Sequence, residues 1–298
     1  MAQGARRARR TTGSGGQRIN EGRAVLCSLC HCVLEFRSLH RCDGRRSELD
    51  TEISERMPDQ PRAFLVLPTY NERENLPRIV SALQALPDPL HILIVDDSSP
   101  DGTGAVADAL ASASSTVQVI HRPGKLGLGT AYTAGFQAAL AQGAELILTM
   151  DADFSHDPRY IPALLEASRR FDLVIGSRYV PGGGVRDWGA RRRALSRGAN
   201  MIAHRVLGLK ARDCTAGFRC YRRAVLEAIN PATIRADGYS YLIEMLFRCQ
   251  RAGFNIGEVP IIFVDRRLGR SKISQREILK AAFTVLRLSY RRLRDRSR

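Results

Sequence analysis

The stretch ELILTMDADFSHDP, residues 145–158, changes character at a single point: Glu145–Met150 is apolar and reads as a strand, and Asp151-Ala152-Asp153 follows at once. Working outward, the same pattern recurs upstream. Ala63–Pro68 reads as a strand, with PTYNE (68–72) at its end, and His91–Val95 as a second, stopped by Asp96-Asp97 and followed by SSPDGT (98–103). Val117–His121 is a third strand, which makes Glu145–Met150 the fourth. Helical spacing fills the intervals at Arg73–Leu86, about Asp101–Ala111 and Leu128–Ala141. Strands alternating with helices predict an α/β fold with a largely parallel sheet. Right-handed crossovers then bring the strand ends to one edge, where such sheets bind ligands. Three motifs distant in sequence should meet there.

The second half is less regular. Asp172–Gly176 reads as a strand, Gly182–Gly184 as a loop, and Arg191–Leu207 and Tyr239–Arg251 as helices. Ile256–Val264 reads as extended, with Pro260 confining it to an edge or a break. A final amphipathic helix is expected over Ile273–Leu293, with Ile278, Leu279, Ala282, Phe283, Leu286 and Leu293 apolar and Lys280, Arg287, Arg291, Arg292 and Arg294 on the other face.

Apolar residues make up 44% of the 298, enough for one sizeable domain. A boundary falls near Met57. Residues 1–56, rich in Arg, Gly and Ser, read as a disordered extension or as an over-long start with Met57 the true initiator; residues 57–298 form the expected domain. Cys27, Cys30 and Cys32 with His31 and His40 could hold zinc, but a second clean pair at finger spacing is missing. An odd total of seven cysteines without framework spacing fits a reducing, cytosolic compartment. No apolar run approaches the ~18 residues of a membrane span, and the Arg-rich start has no apolar core of a secretory signal. The net charge is +16, and residues 266–298 carry 12 Lys and Arg against 2 acidic residues. Such blocks suit phosphates of nucleotides, nucleic acids or lipid headgroups, and charge alone does not choose among them.

The motifs narrow the choice. Two carboxylates at i and i+2 in extended backbone point the same way, so Asp151 and Asp153 can face one Mg²⁺ or Mn²⁺, hard ions that also bind diphosphate oxygens. Acidic pairs after strands also serve as turn residues or caps, and Asp157-Pro158 can start a helix. Asp96-Asp97 can bond a base or ribose, or simply form a turn. Tyr70 can stack on a base that Glu72 bonds, while Asn71 suits the cap of the following helix.

Taken together, PTYNERENL (68–76), IVDDSSPDGT (94–103), RPGKLGLGTAYTAGF (122–136), DADFSHDP (151–158), GSRYVPGGGVRDW (176–188), RRALSRGAN (192–200), DCTAGFRCYRR (213–223), GYSYLIEM (238–245) and FVDRRLGRSK (263–272) resemble the family 2 glycosyltransferases of GT-A fold. Among these they are most similar to polyprenol-phosphate (dolichol-phosphate) mannosyltransferases. The resemblance implies that Pro68, Tyr70, Glu72, Val95 and Asp97 hold the nucleotide, and that Asp151, Ala152 and Asp153 form the metal and diphosphate motif. Ser155 stands where relatives often carry Gln and is the weaker ligand. Arg178, Arg266 and Lys272 match positions that contact phosphates. Asp153 and Arg178 are the residues expected to serve catalysis, and Trp188, Arg191 and Arg197 fall in the acceptor region after the Gly-rich loop.

The activity so implied is mannosyl transfer from GDP-mannose to a polyprenyl phosphate, with Mg²⁺ or Mn²⁺, at the cytoplasmic face of a membrane that the chain does not cross. A separate membrane-anchoring partner is compatible with that. A lipid phosphate is anionic near neutral pH, so no strong general base is needed, which suits a motif set without catalytic His or Cys. Single displacement with inversion is expected. A glucosyl or N-acetylglucosaminyl enzyme of the same fold is the near alternative. A nucleic-acid-binding protein is the distant one; no recognised nucleic-acid motif accompanies the charge, and acidic strand ends repel phosphate unless a metal intervenes.

Overall fold

The computed structural model describes residues 61–265 and 275–296, all within a compact unit spanning Asp59–Arg298. The cysteine–histidine cluster around Cys30, Met57, and the expected phosphate contacts Arg266 and Lys272 lie outside the described residues. The strands are β1 (Ala63–Thr69), β2 (Leu90–Asp96), β3 (Val117–His121), β4 (Leu146–Thr149), β5 (Leu173–Ser177), β6 (Gly184–Arg186), β7 (Arg219–Arg222), β8 (Ile256–Pro260) and β9 (Ile262–Val264). The α-helices are α1 (Leu76–Gln84), α2 (Thr103–Ala113), α3 (Leu128–Ala141), α4 (Ile161–Ser168), α5 (Ala190–Leu207), α6 (Arg223–Ile229), α7 (Tyr239–Arg251) and α8 (Gln275–Arg296).

Seven strands form one sheet in the order β3-β2-β1-β4-β7-β5-β8, and β6 and β9 pair separately. Every pairing in the main sheet is parallel except those of β7, which runs antiparallel to β4 and β5. Alternation along β1 explains the apolar runs: Phe64 and Val66 enter one core, Leu65 and Leu67 the other. The first core is closed by α3, α5, α6, α7 and α8, the second by α1, α2 and α4. A sheet covered on both faces needs strands apolar on both. Gly135 of α3 sits where a β-carbon would strike Val66, so its small size sets how closely α3 packs on β1.

The structure corrects several boundaries. The first helix begins at Leu76, not Arg73, because residues 73–75 form a turn closed by Asn75 and Leu76 N–H groups on Glu72 O. Asn71 does not cap it; its φ is 61°, a conformation Asn tolerates, and its N–H donates to Ser99 Oγ. The extended segment 256–264 is both an edge and a break: β8 is the sheet's last strand and ends at Pro260, and β9 leaves to pair with β6. Strand β7 and helix α6 were not expected from the sequence.

Candidate active site

Strand ends bring the motifs together as the topology requires. Pro68, Tyr70, Glu72, Asp97, Asp151, Ala152, Asp153, Ser155, Arg178 and Trp188, all singled out from the sequence, line one cleft of about 380 Å³. Val95 does not line it. Its side chain is fully buried beside Phe64 and Leu93, and its carbonyl accepts from Thr69 Oγ1. Asp96 is a turn-former, accepting from Thr69 Oγ1 and from Ser99 N and Oγ. Asp97 instead meets the Arg122 guanidinium at 2.7 Å. Burial pushes the Asp97 carboxyl above its ordinary range, against the pull of Arg122. The Lys125 ammonium lies 3.9 Å from the centroid of the Tyr70 ring, a cation–π contact over the surface expected to receive a base.

The acidic motif is built differently from the expectation. Strand β4 stops at Thr149, and Ala152-Asp153 form a turn. Asp151 and Asp153 therefore reach the same cleft through a turn and not through strand alternation. The Asp151 N–H donates to His156 Nδ1 at 3.2 Å, and the Tyr132 hydroxyl donates to Asp151 Oδ1 at 3.5 Å. His156 is buried between Phe218 and Phe263, and burial lowers its pKa despite the pull of Asp151 and Asp153. It is thus a neutral acceptor that fixes the first Asp. Gly217 adds space: a β-carbon there would meet Tyr132 Oη at 3.1 Å and Asp151 Oδ1 at 3.6 Å.

No cluster of three or more His, Cys, Asp or Glu side chains converges among the described residues. A divalent ion would therefore rest on two carboxylates and a hydroxyl. Ser155 Oγ is buried without a hydrogen-bond partner, while its N–H is held by Asp153 Oδ1 at 3.0 Å. A buried hydroxyl without a partner is costly unless a ligand completes it. The set Asp151, Asp153 and Ser155 fits a hard cation that keeps further positions for substrate oxygens or water.

Arg178, at the end of β5, is fixed by a residue the sequence reading quoted but gave no role. Asp213 accepts from Arg178 N at 3.1 Å, Nε at 2.7 Å and Nη2 at 2.7 Å, and Nη2 also donates to Thr215 Oγ1. Burial opposes the charge on Asp213, yet Arg178 and the hydrogen bonds win and hold the carboxyl below its usual range. Glu258 on β8 accepts the Arg212 and Asp213 N–H groups and secures the loop from behind. Arg219, wholly buried, donates to the carbonyls of Cys214, Ala216 and Leu242, and so shapes the Thr215–Gly217 wall of the cleft.

Beyond Arg178 the cleft meets a second cavity of about 370 Å³ between α5, α7 and α8. Arg178, Trp188, Arg192, Thr215 and Tyr239 line both. The second is otherwise mostly apolar, walled by Leu195, Ile202, Val206, Ile243, Val285 and Leu286 among others. Helical phase separates the residues expected to meet the acceptor. Arg192, Ser196, Asn200 and Ala203 share the groove side of α5, whereas Arg191 and Arg197 are exposed and line neither cavity. Arg192, one of the basic residues after the Gly-rich loop expected to meet the lipid phosphate or an anionic membrane, lines the cleft; Lys125, inside a quoted motif but given no role there, lines it as well.

Residues 64–229 match the model of the family described as glycosyl transferase family 2. The chain is 48% identical over 239 residues to a polyprenol monophosphomannose synthase of Mycolicibacterium smegmatis, covering 80% of this chain and 90% of that protein. It is 45% identical over 226 residues to an undecaprenyl-phosphate mannosyltransferase of Micrococcus luteus, covering 76% and 93%. A crystal structure of glucosyl-3-phosphoglycerate synthase from Mycobacterium tuberculosis with Mn²⁺, UDP and glucosyl-3-phosphoglycerate superposes with a TM-score of 0.57 at 20% identity, covering 85% of this chain and 86% of that one. At that identity the likeness concerns the fold, which is the GT-A architecture.

Proposed function

The chain belongs to glycosyl transferase family 2, and on that premise we propose that it transfers mannose from GDP-mannose to a polyprenyl phosphate at a membrane surface, yielding a lipid-linked mannosyl donor. One observation carries this reading: an acidic cleft at the sheet edge opens past Arg178 and Trp188 into an apolar groove. An acceptor joining a phosphate to a hydrocarbon has the two chemistries that junction offers. The names of the two bacterial relatives support the same sugar and acceptor class.

In this reading Pro68, Tyr70, Glu72 and Asp97 hold the nucleotide, and Val95 packs beneath them in the core. Asp151, Asp153 and Ser155 hold Mg²⁺ or Mn²⁺, which when bound supplies positive charge to the donor's diphosphate. Arg178, held rigid by Asp213, presents a fixed cation where negative charge develops, at no reorganisation cost. Arg266 and Lys272 supply further charge. The acceptor phosphate needs no deprotonation near neutral pH, so its oxygen attacks the anomeric carbon directly and inverts it.

The membrane surface is met by a face the structure leaves apolar. Phe283, Leu286, Tyr290 and Leu293 on α8 and Met201, Ile202 and Val206 on α5 are exposed by 42–69%. They adjoin the groove walls, and an interfacial helix buries such a stripe among lipid headgroups. No helix among the described residues is long and apolar enough to cross a membrane. The enzyme in this reading is peripheral to the cytoplasmic face, with or without a separate anchoring protein.

A donor panel tests the proposal. Radiolabelled GDP-mannose, UDP-glucose and UDP-N-acetylglucosamine are each offered with a polyprenyl phosphate, and the organic phase is counted. Label from GDP-mannose alone, in a product of inverted configuration, is expected. Label from a UDP-sugar instead discards mannose and keeps the acceptor; retention of configuration discards the single displacement.

A further inference from the structure

Residues 213–217 form no regular element, yet Asp213 and Thr215 among them hold Arg178 in place. A loop that orients another side chain must itself be held. Glu258 accepts the Asp213 N–H at 3.0 Å, and Asn200 Oδ1 accepts the Cys214 N–H at 2.8 Å. Thr149 Oγ1 donates to Gly217 O at 2.6 Å. The carbonyls of Cys214 and Ala216 meet a single side chain. Arg219 gives Nη2 to the first at 3.1 Å and Nε to the second at 2.8 Å. Its Nη1 donates to Leu242 O of α7 at 3.0 Å and to the Tyr221 hydroxyl at 3.3 Å. Thr215, Ala216, Gly217 and Leu242 all line the cleft. One planar group therefore ties the loop and the helix together behind the cleft lining.

Arg219 is wholly buried, and its partners are carbonyls and a hydroxyl; among the described residues no carboxylate pairs with it. A buried cation without a counter-charge is destabilising, and arginine cannot shed its proton to relieve it. A neutral apolar side chain of similar volume would fill the space without that cost, but it would leave three carbonyls without this donor. Space-filling thus does not explain an arginine here, whereas fixing those carbonyls does. We infer that Arg219 is a positioning residue for the transfer step. By holding Cys214, Ala216 and Leu242 it fixes Asp213 and Thr215, and through them Arg178, where charge develops on the departing diphosphate. The inference rests on the transfer activity proposed above and adds to it a residue that touches neither substrate. A preorganised cation acts as charge develops, so loss of Arg219 should lower kcat and spare KM.

A double-mutant cycle on the full-length protein tests this. One arm is Arg219→Met, which keeps the length of the side chain and removes its donors. The other is Arg178→Gln made together with Asp213→Asn, a neutral pair that strands no buried charge. Transfer of label from GDP-mannose to a polyprenyl phosphate gives kcat and both KM values, and circular dichroism with urea midpoints shows that each variant is folded. Arg219→Met alone should lower kcat about a hundredfold, the scale of a misplacement of about 1 Å, with both KM values little changed. In the neutral-pair background the same substitution should cost less than about threefold, because the group it positions is gone. Arg219→Lys keeps the charge but not the fork, so its kcat should fall between those of wild type and Arg219→Met. It carries the cycle if Arg219→Met does not fold. An unchanged kcat in a folded Arg219 variant would overturn the inference, as would a raised KM with kcat preserved. Full additivity with the neutral pair would also overturn it, since Arg219 would then act on the fold at large and not through Arg178. An active wild type with any of these results leaves the transfer activity standing. A wild type inactive with every nucleotide sugar would remove the transfer activity and this inference together.

Discussion

At the scale of single residues, the best-determined side chain of the cleft is Arg178, and it is determined by a partner 35 positions away. Asp213 and Arg178 are both buried, so removing one strands the other's charge. Asp213→Ala should lower stability by about 3–5 kcal/mol, the usual cost of breaking a buried pair, read from the urea midpoint. The same pair gives a pH dependence. The Asp213 carboxyl titrates below its ordinary range in the fold. Its contribution is therefore complete above the unfolded value of about 3.9 and is lost as the pH falls through and below it. Asp213→Asn should flatten that part of the acid-unfolding curve; an unaltered acid slope would contradict the pairing. The sequence displayed Arg178 inside a motif but gave no sign of Asp213's role, since a lone Asp carries no local signal for a partner across the sheet. Arg192 could not be told from its neighbours for a different reason: four arginines at 191–193 and 197 look alike until the helix phase is known.

Helix α8 shows how an element can be foreseen while its seating is not. An amphipathic helix was expected there, with a basic face turned to solvent or lipid. Instead Arg287 and Arg291 pair with Glu244 of α7, a carboxylate only 1% exposed, and Arg292 donates to Val206 O of α5. Val285 and Leu288 enter the core, leaving Phe283, Leu286, Tyr290 and Leu293 outward. Arginine reads as surface until a buried carboxylate is found for it, and Glu244 belongs to another helix. The consequence for membranes is specific. Replacing Phe283, Leu286 and Leu293 with Ser should abolish co-sedimentation with anionic liposomes while leaving the fold intact. Arg292→Gln should leave sedimentation nearly unchanged and lower the melting temperature. The reverse pattern would mean that the arginines, not the apolar stripe, hold the membrane. Strand β7 escaped the sequence reading for a related reason: its run Arg219-Cys220-Tyr221-Arg222 looks polar, yet Arg219 is fully buried on backbone carbonyls.

Across the whole molecule, the sequence made the sheet edge legible because each apolar strand stops where a polar motif begins. The parallel strands β1, β2 and β4 and their crossovers then leave little freedom in where those motifs meet. The groove was not legible, because it is made by α5, α7 and α8 packing together, and no local pattern encodes a space between three helices. Residues 59–298 form one compact unit, so a chain started at Met57 is expected to fold and to retain transfer; loss of transfer would assign the first 56 residues a part in the activity. The account as a whole turns on the acidic motif serving mannosyl transfer to a lipid phosphate. The most direct measurement is the transfer of label from GDP-mannose into the lipid phase by wild type and Asp153→Ala, each with Mg²⁺ or Mn²⁺ and with EDTA. The account predicts label with metal, its loss in EDTA, its return when metal is restored, and at least a hundredfold drop in the variant, the scale on which a key electrostatic group contributes. Undiminished transfer in EDTA and by a folded Asp153→Ala protein would contradict it.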